Sequence, residues 1–348
     1  MKIGIVTVYN SHNFGSYLQA KALGVALQSF GDVVYIDFHS RNAFRSFMRK
    51  SKKILFSKCK VLAKAYGILF ELIEFVKLNK MWKKLPSTNS YENIDIVVLG
   101  SDEIWNLTRN VCKHPMYWGG GLNQFKISYA PSLNTATESD LKDNPDYIRY
   151  LKDINFVSVR DLHSKEVLSC FLQDEPFLAV DPTLLNTPEL IDSDITKPYI
   201  AVYLFYGSLS NDEVSEIKKF AKSAGMPLIS AGQYISWCDR SVHSINGTPF
   251  YVFENARFVI TNTFHGTAYA INYNTQFAVY AKGKPKIEDL LKQFELTDRI
   301  VTISSDLHNI LDTNINYERI NLLLHTSRSE SMGYIQSSIQ AWNRITCE

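Results

Sequence analysis

"KIGIVTVYNSHNFGSYLQAKALGVALQSFGDVVYIDF" runs from Lys2 to Phe38, and the order of its patterns decides the fold. The apolar run KIGIVTV gives way to an amphipathic stretch, Ser16 to Phe30, and then to a second apolar run, VVYIDF. A strand covered on both faces has no polar side to show, so apolar runs separated by helical patterns read as buried parallel strands with crossover helices. The alternation continues in DIVVLG (95–100), FKISYAP (125–131), NFVSVR (155–160) and FLAVDP (177–182). These patterns predict a doubly wound α/β unit over residues 1–185.

Three prolines in "DPTLLNTPELIDSDITKPY" (181–199) break the pattern, which then restarts. YIAVYLFYG, a helical stretch from Asn211 to Gly225, PLISA, ARFVITN and FAVYA predict a second, smaller α/β unit over 196–328. Residues 329–348, helical from Ser329 to Ile345, are expected to pack back across to the first unit. The fold class is therefore α/β, with two Rossmann-like doubly wound domains facing a cleft. Ligands of open α/β sheets bind at the carboxyl ends of the strands, which places the expected site in that cleft.

A chain of 348 residues has room for two such domains, and 45% hydrophobic with 21% charged residues describes a globular protein. No apolar run approaches the ~18–20 residues of a membrane-spanning helix. The first residues are too quickly interrupted for a signal-peptide core. Five scattered cysteines, Cys59, Cys112, Cys170, Cys238 and Cys347, lack CxxC spacing. That argues against a disulfide framework or a zinc site, and no metal is expected. A cytoplasmic protein is expected, with peripheral contact at the inner face of the membrane as an open question.

The open question comes from charge. Residues 41–84 carry thirteen Lys/Arg against Glu71 and Glu74, so this segment holds +11 of a net +2 and leaves −9 elsewhere. Phe44, Phe47, Met48, Ile54, Leu55 and Phe56 are interleaved with the cations, a pattern that suits an anionic membrane surface. The alternative is a helical insertion that packs its Ile68–Val76 stripe on the core. Nucleic acid is not expected, since no recognition motif accompanies the charge.

Four strand ends carry residues suited to chemistry. "YNSHNFGSYLQAKALG" lacks GxGxxG, which disfavours a nicotinamide or flavin cofactor. It leaves Asn13, Gly15 and Ser16 at a helix entrance suited to an anion or sugar hydroxyls, with Ser16 read as the N-cap. An ordinary polar turn would look the same. "VVLGSDEIWN" offers Asp102, Glu103, Trp105 and Asn106, the residue types that grip a sugar, although a buried tryptophan beside a capped helix is common. "FVSVRDLHS" ends an apolar strand with Arg160, whose guanidinium must meet an anion or a carboxylate, Asp161 being the nearest in sequence. "TNTFHGTA" brings Asn262, Thr263, His265, Gly266 and Thr267 to a strand end that opens a helix. Amides there favour an anion and a neutral imidazole, and a plain turn histidine is the competing account.

The ordered blocks "NFGSYLQAKAL" (13–23), "GSDEIWN" (100–106), "ISYAPSL" (127–133), "SVRD" (158–161), "VDPTLL" (180–185) and "ITNTFHGTA" (260–268) resemble the polysaccharide pyruvyl transferase family. Two places depart from its pattern: Thr263 stands where some relatives carry arginine, and "APSLN" replaces a small-residue block. The resemblance implies a GT-B-like fold and transfer of pyruvate from phosphoenolpyruvate to two hydroxyls of one sugar, forming a cyclic ketal. It implies donor binding by Arg160, Asn262, Thr263, Gly266 and Thr267, with His265 catalytic. Asn13, Gly15, Ser16, Asp102, Trp105 and Asn106 are expected to face the acceptor, a polysaccharide repeat unit or lipid-linked oligosaccharide. No cofactor is expected beyond the donor substrate. The remaining alternatives are a GT-B glycosyltransferase using a nucleotide-sugar and a non-catalytic sugar-binding protein.

Overall fold

A computed structural model of the chain describes every residue except 12, 39–42, 58–59, 193, 196, 206, 304–305 and 348. Of the thirteen basic residues counted above, Arg41 and Lys58 fall outside the described residues, as does Cys59, and so do the side chains of Arg45 and Cys347. The first sheet holds β1 (Lys2–Val6), β2 (Asp32–Ile36), β3 (Ser87–Thr88), β4 (Ile96–Asp102) and β5 (Phe125–Pro131). They lie in the order β3-β2-β1-β4-β5, every pair parallel. A short ladder of β6 (Ser158–Val159) and β7 (Phe177–Leu178) follows, joined to β5 through a bridge from Ile127 to Phe156.

The second sheet holds β8 (Ile200–Tyr203), β9 (Leu228–Ala231), β10 (Arg240–Val242), β11 (Phe258–Thr261) and β12 (Phe277–Val279), again all parallel, in the order β10-β9-β8-β11-β12. Counted within each sheet, both orders are 3-2-1-4-5, so the chain uses one architecture twice. Strand order reverses between β1 and β4, and again between β8 and β11. Such switch points open a crevice at the strand ends. β3 and β10 were not legible, since Ser87–Thr88 is only two residues long and Arg240–Val242 has no apolar run.

The helix α1 (Phe14–Leu27) was expected to be amphipathic but is buried on nearly every side. Its inner face lies on the first sheet, and its outer face is covered by the short helix Pro182–Leu185 and by residues of the second half, among them Gly232, Gly247 and His265. One cluster of buried apolar side chains accordingly runs from Ile5 and Leu23 through Phe14 to Val259 and Phe277. The helix expected from Ser329 begins already at Tyr317 and runs to Cys347. Its Tyr317 hydroxyl donates to the Ala270 carbonyl at 3.4 Å, in the second half. Further along, the Tyr334 hydroxyl donates to the Ser128 carbonyl at 3.0 Å and its ring stacks on Phe177, both in the first half.

The basic segment forms a hairpin of α2 (Ala43–Leu55) and α3 (Val61–Trp82), with Phe47 stacked on Phe75 at 5.3 Å. The expectation that its Ile68–Val76 stripe packs on the core holds only for Ile68 and Phe70, which cluster with Ile54 and Tyr234, whereas Leu69, Leu72, Ile73 and Val76 face outward. The buried face carries Gly67, Phe70, Glu71, Glu74 and Leu78. Glu71 accepts the Tyr234 N–H at 3.0 Å. Glu74 accepts the Ser244 hydroxyl at 2.7 Å and pairs with His243 Nδ1 at 2.5 Å, while Phe70 stacks on the His243 ring at 3.9 Å. Polar partners on residues 234–244 thus select the glutamates, because an apolar stripe there would leave those donors unpaired. Among the described residues, no helix is long and apolar enough to cross a membrane.

Candidate functional site

Both switch points deliver residues to the same cleft. After β1, the buried Gln19 amide donates to Thr7 Oγ1 and to the Val8 and Ser16 carbonyls, fixing the start of α1 over the strand end. The N-cap is Asn13, whose side chain accepts the Gly15 N–H at 3.0 Å; the reading of Ser16 as N-cap is corrected. Ser16 instead donates to Asp102 Oδ2 at 2.6 Å. β4 ends with Ser101 and Asp102 both in the left-handed region, at φ 55° and 70°. Consecutive non-glycine residues there carry local strain that the surroundings must hold in place.

Arg160, at the end of β6, lies beside Asp102 with its guanidinium buried. Its Nη1 donates to Asp181 Oδ2 at 2.9 Å, while Nη2 reaches Asp102 Oδ1 only at 3.8 Å. Nε is buried and without a hydrogen-bond partner. The Nε/Nη2 edge, the side of the fork that grips an anion in two places, is therefore the uncommitted one. The ring of Phe264 packs against the guanidinium at 4.7 Å. Asp161, named above as the nearest carboxylate in sequence, caps the helix Leu162–Ser169 by accepting the Ser164 N–H at 2.8 Å. Asp181 is held in turn by the Thr183 N–H and hydroxyl.

From the other sheet, β11 runs into the helix Phe264–Asn272, capped by Thr263. His265 sits on its first turn against Gly15 of α1, with Nε2 buried and without a hydrogen-bond partner. The expectation that the Gly266 and Thr267 amides face a ligand is corrected. Gly266 N–H donates to Thr263 Oγ1 at 2.9 Å, and Thr267 N–H donates to the Thr263 carbonyl at 3.1 Å. Gly266 lacks a side chain because a Cβ would collide with Thr261 and Thr263. Asn262 is likewise committed, accepting the Phe205 N–H at 2.8 Å and donating to Ser208.

Two acceptor candidates leave the site. Trp105 is fully buried, donating its Nε1–H to the Tyr117 carbonyl at 2.8 Å and stacking on Trp118. Asn106 is buried in a turn, its Oδ1 accepting the Thr108 N–H and hydroxyl. Neither side chain offers a face or an edge to the cleft.

The electrostatics follow from this placement. Burial would raise the Asp102 carboxyl, but Arg160, His265, the Ser16 hydrogen bond and Lys286 outweigh it and hold it well below the usual range. Glu103 behaves alike: burial raises it, and Lys286 with its hydrogen bond brings it down. Burial depresses His265, with Arg160 and Lys286 adding to the effect against Asp181 and Asp102. The imidazole is thus neutral near pH 7.

Asp181, Lys284 and Lys286 were missed in the sequence. Asp181 stood in "FLAVDP", an acid just past an apolar run and before a proline, which is a readable strand-end signal. Lys286 pairs with Glu103 across the cleft, and Lys284 donates to the Asn262 carbonyl at 2.7 Å. Their solvent-rich local sequence, "KGKPK", carries no such signal.

Residues 13–236 match the model of the family described as polysaccharide pyruvyl transferase. The matched span contains Asn13 to Ser16, Asp102, Arg160 and Asp181 and ends before Thr263 and His265. No curated protein matches the chain in sequence. Among solved structures, the chain is similar to the UDP-N-acetylglucosamine 2-epimerase of Rickettsia bellii, at 12% identity and TM-score 0.52 over 99% of this chain and 98% of that one. It is also similar to the UDP-GlcNAc 2-epimerase of Methanocaldococcus jannaschii, at 12% identity and TM-score 0.51 over 92% and 94%. The enzyme of Neisseria meningitidis bound to UDP-GlcNAc gives 10% identity and TM-score 0.51 over 98% and 100%. At this identity the likeness is one of fold, the GT-B-like pair of sheets.

Proposed function

The chain belongs to the polysaccharide pyruvyl transferase family, and from that premise we propose that it transfers the pyruvyl group of phosphoenolpyruvate to two hydroxyls of one sugar. The acceptor is a sugar of a polysaccharide repeat unit or its lipid-linked precursor, and the products are a cyclic ketal and phosphate. The observation that carries this reading is the meeting of an open Arg160 edge with a neutral, partnerless His265 nitrogen in one cleft.

The donor carries a phosphate and a carboxylate, so it needs a fork and balancing cations. The Nε/Nη2 edge of Arg160 takes one anionic group, with Asp102 giving up its long contact, and Lys284 and Lys286 balance the rest. In the reaction, C3 of the enol gains a proton, C2 forms a bond to each of two sugar oxygens, and the C2–O bond to phosphate breaks. Each hydroxyl loses a proton, and the phosphate leaves with the bonding pair. A neutral imidazole at His265 carries protons between these groups. Ser16 and Asp102 line the acceptor side. The chemistry calls for no resident cofactor.

Phosphate release from phosphoenolpyruvate tests the reading. The purified chain is incubated with this donor and a mixture of soluble and lipid-linked oligosaccharides, with nucleotide-sugars in parallel. Acceptor-dependent phosphate release and a pyruvyl mass increment on the sugar support it. Nucleotide release with no phosphate would overturn it.

A further inference from the structure

The α2–α3 hairpin turns its chemistry inside out. Both of its carboxylates, Glu71 and Glu74, are buried against residues 234–244. Lys50 and Lys77 also turn inward, to Glu71 and to the Ser244 carbonyl. The outward face then carries Arg49, Lys52, Lys53, Lys60 and Lys80 with no acidic group from the hairpin itself. Together with these cations, α3 exposes an apolar stripe at helical spacing: Leu62, Tyr66, Leu69, Ile73 and Val76. The three most exposed large apolar side chains among the described residues, Phe56 (74%), Val61 (80%) and Leu62 (85%), flank the connection between the two helices.

We propose that this face seats on an anionic lipid bilayer, with Phe56, Val61 and Leu62 entering the acyl boundary and the cations meeting the headgroups. A surface helix normally shows water its polar side, so a contiguous apolar outer face surrounded by cations implies a partner. A bilayer supplies both halves of what this face lacks: negative charge at the surface and apolar depth of ~5–10 Å beneath it. A second copy of the chain would bring the same cations together and be repelled. The hairpin is docked by Glu71 and Glu74 onto the second half, so a seated hairpin would hold the body of the protein, and with it the cleft, close to the membrane. The inference does not depend on the identity of the donor or on catalysis.

Co-sedimentation tests it with the full chain and two kinds of vesicle: phosphatidylcholine mixed with phosphatidylglycerol, and phosphatidylcholine alone. Binding is expected to the first only and to weaken as salt rises. Phe56→Asp with Leu62→Asp alters only exposed side chains, so folding should hold, and partitioning should fall ~10-fold or more, the apolar contribution being lost. Lys52→Ala with Lys60→Ala should reduce it about five-fold for each lysine removed. Equal binding to both vesicles, binding to neither, or full retention by both double variants would overturn the proposal. So would light scattering that shows a dimer which these variants dissociate, since the face would then belong to a second copy.

Discussion

Gly15 and His265 touch across the cleft, one from each sheet's switch point. A methyl group added at Gly15 would lie 2.6 Å from Cγ of the imidazole and 2.7 Å from Cε1, and nearer still to Nδ1. Gly15 has no left-handed backbone to justify it, since it stands inside α1. The absent side chain is what lets the ring seat, so the two halves of the site depend on each other sterically. Gly15→Ala should therefore swing His265 from its place while leaving α1 intact, alanine being the better helix former. The expected result is a ~10²-fold loss of kcat with the unfolding midpoint little changed, since misplacing a reacting group by about 1 Å has that effect. Unchanged kcat would show that the ring position does not matter to turnover.

His265 itself is the sharper case. His265→Ala should lower kcat by ~10²–10⁴-fold at saturating phosphoenolpyruvate if the imidazole moves a proton. His265→Asn and His265→Gln keep a hydrogen-bonding group without proton transfer. If either restores turnover to within a few-fold of the parent, the residue binds and does not shuttle protons.

Arg160 tests the open edge. Arg160→Lys keeps the charge near Asp181 but removes the fork, so it should raise donor KM or lower kcat by roughly 2–4 kcal/mol in combined terms while the protein still folds. Asp181→Asn removes the carboxylate that holds Nη1 and leaves Arg160 under-compensated, which should cost stability. A donor defect in the first variant larger than in the second locates recognition on the Nε/Nη2 side. Equal defects would make Arg160 a structural ion-pair member.

Apart from the edge strands β3 and β10, the sequence carried the sheets well because their strands are largely buried and read as apolar runs; β5 begins and ends where its pattern does. Its switch-point residues were legible as well, because strand ends that lead into helices show polar residues after apolar ones. The same local signal misled at Trp105 and Gly266. A sequence lists the tryptophan but not the Trp118 ring that claims it, and lists an amide but not the Thr263 hydroxyl that accepts from it. Long-range pairings such as Arg160 with Asp181, or Glu103 with Lys286, are set by which strand ends meet, a relation local spacing does not encode. The hairpin was misread on its packing face for that reason too: its glutamates are inward only because Tyr234, His243 and Ser244 are there to receive them.

Glu74 gives a stability test of that docking. It is fully buried and bound to the Ser244 N–H, the Ser244 hydroxyl and His243 Nδ1. Glu74→Ala strands those groups and should destabilise the protein by about 2–4 kcal/mol, seen as a lower denaturant midpoint. Leu72→Ala, on the exposed side of the same helix, should change it by less than ~0.5 kcal/mol. The opposite ranking would mean that the stripe, and not the glutamates, holds α3.

Acid should weaken the fold in two steps, and the sign follows from the direction of each shift. His265 is depressed below its ordinary 6.5, and Asp102 and Glu103 below 3.8 and 4.5, so each binds its proton less readily folded than unfolded. Stability from all three is fully present above pH 6.5 and is lost as pH falls. Between 6.5 and the depressed His265 value, the unfolded chain takes up a proton that the folded chain refuses. Below 4.5 the two carboxylates act the same way, and the decline steepens. Chemical unfolding measured across this range should show both bends, although other groups titrate there too, so variants must isolate the site. His265→Gln should flatten the bend below 6.5, and Asp102→Asn, which keeps a residue tolerant of the left-handed backbone, should flatten the lower one. Activity should follow the same histidine: a neutral imidazole keeps kcat up through pH 6.5, with the acid limb falling only below it. An acid limb centred above 6.5 would contradict the burial that depresses His265.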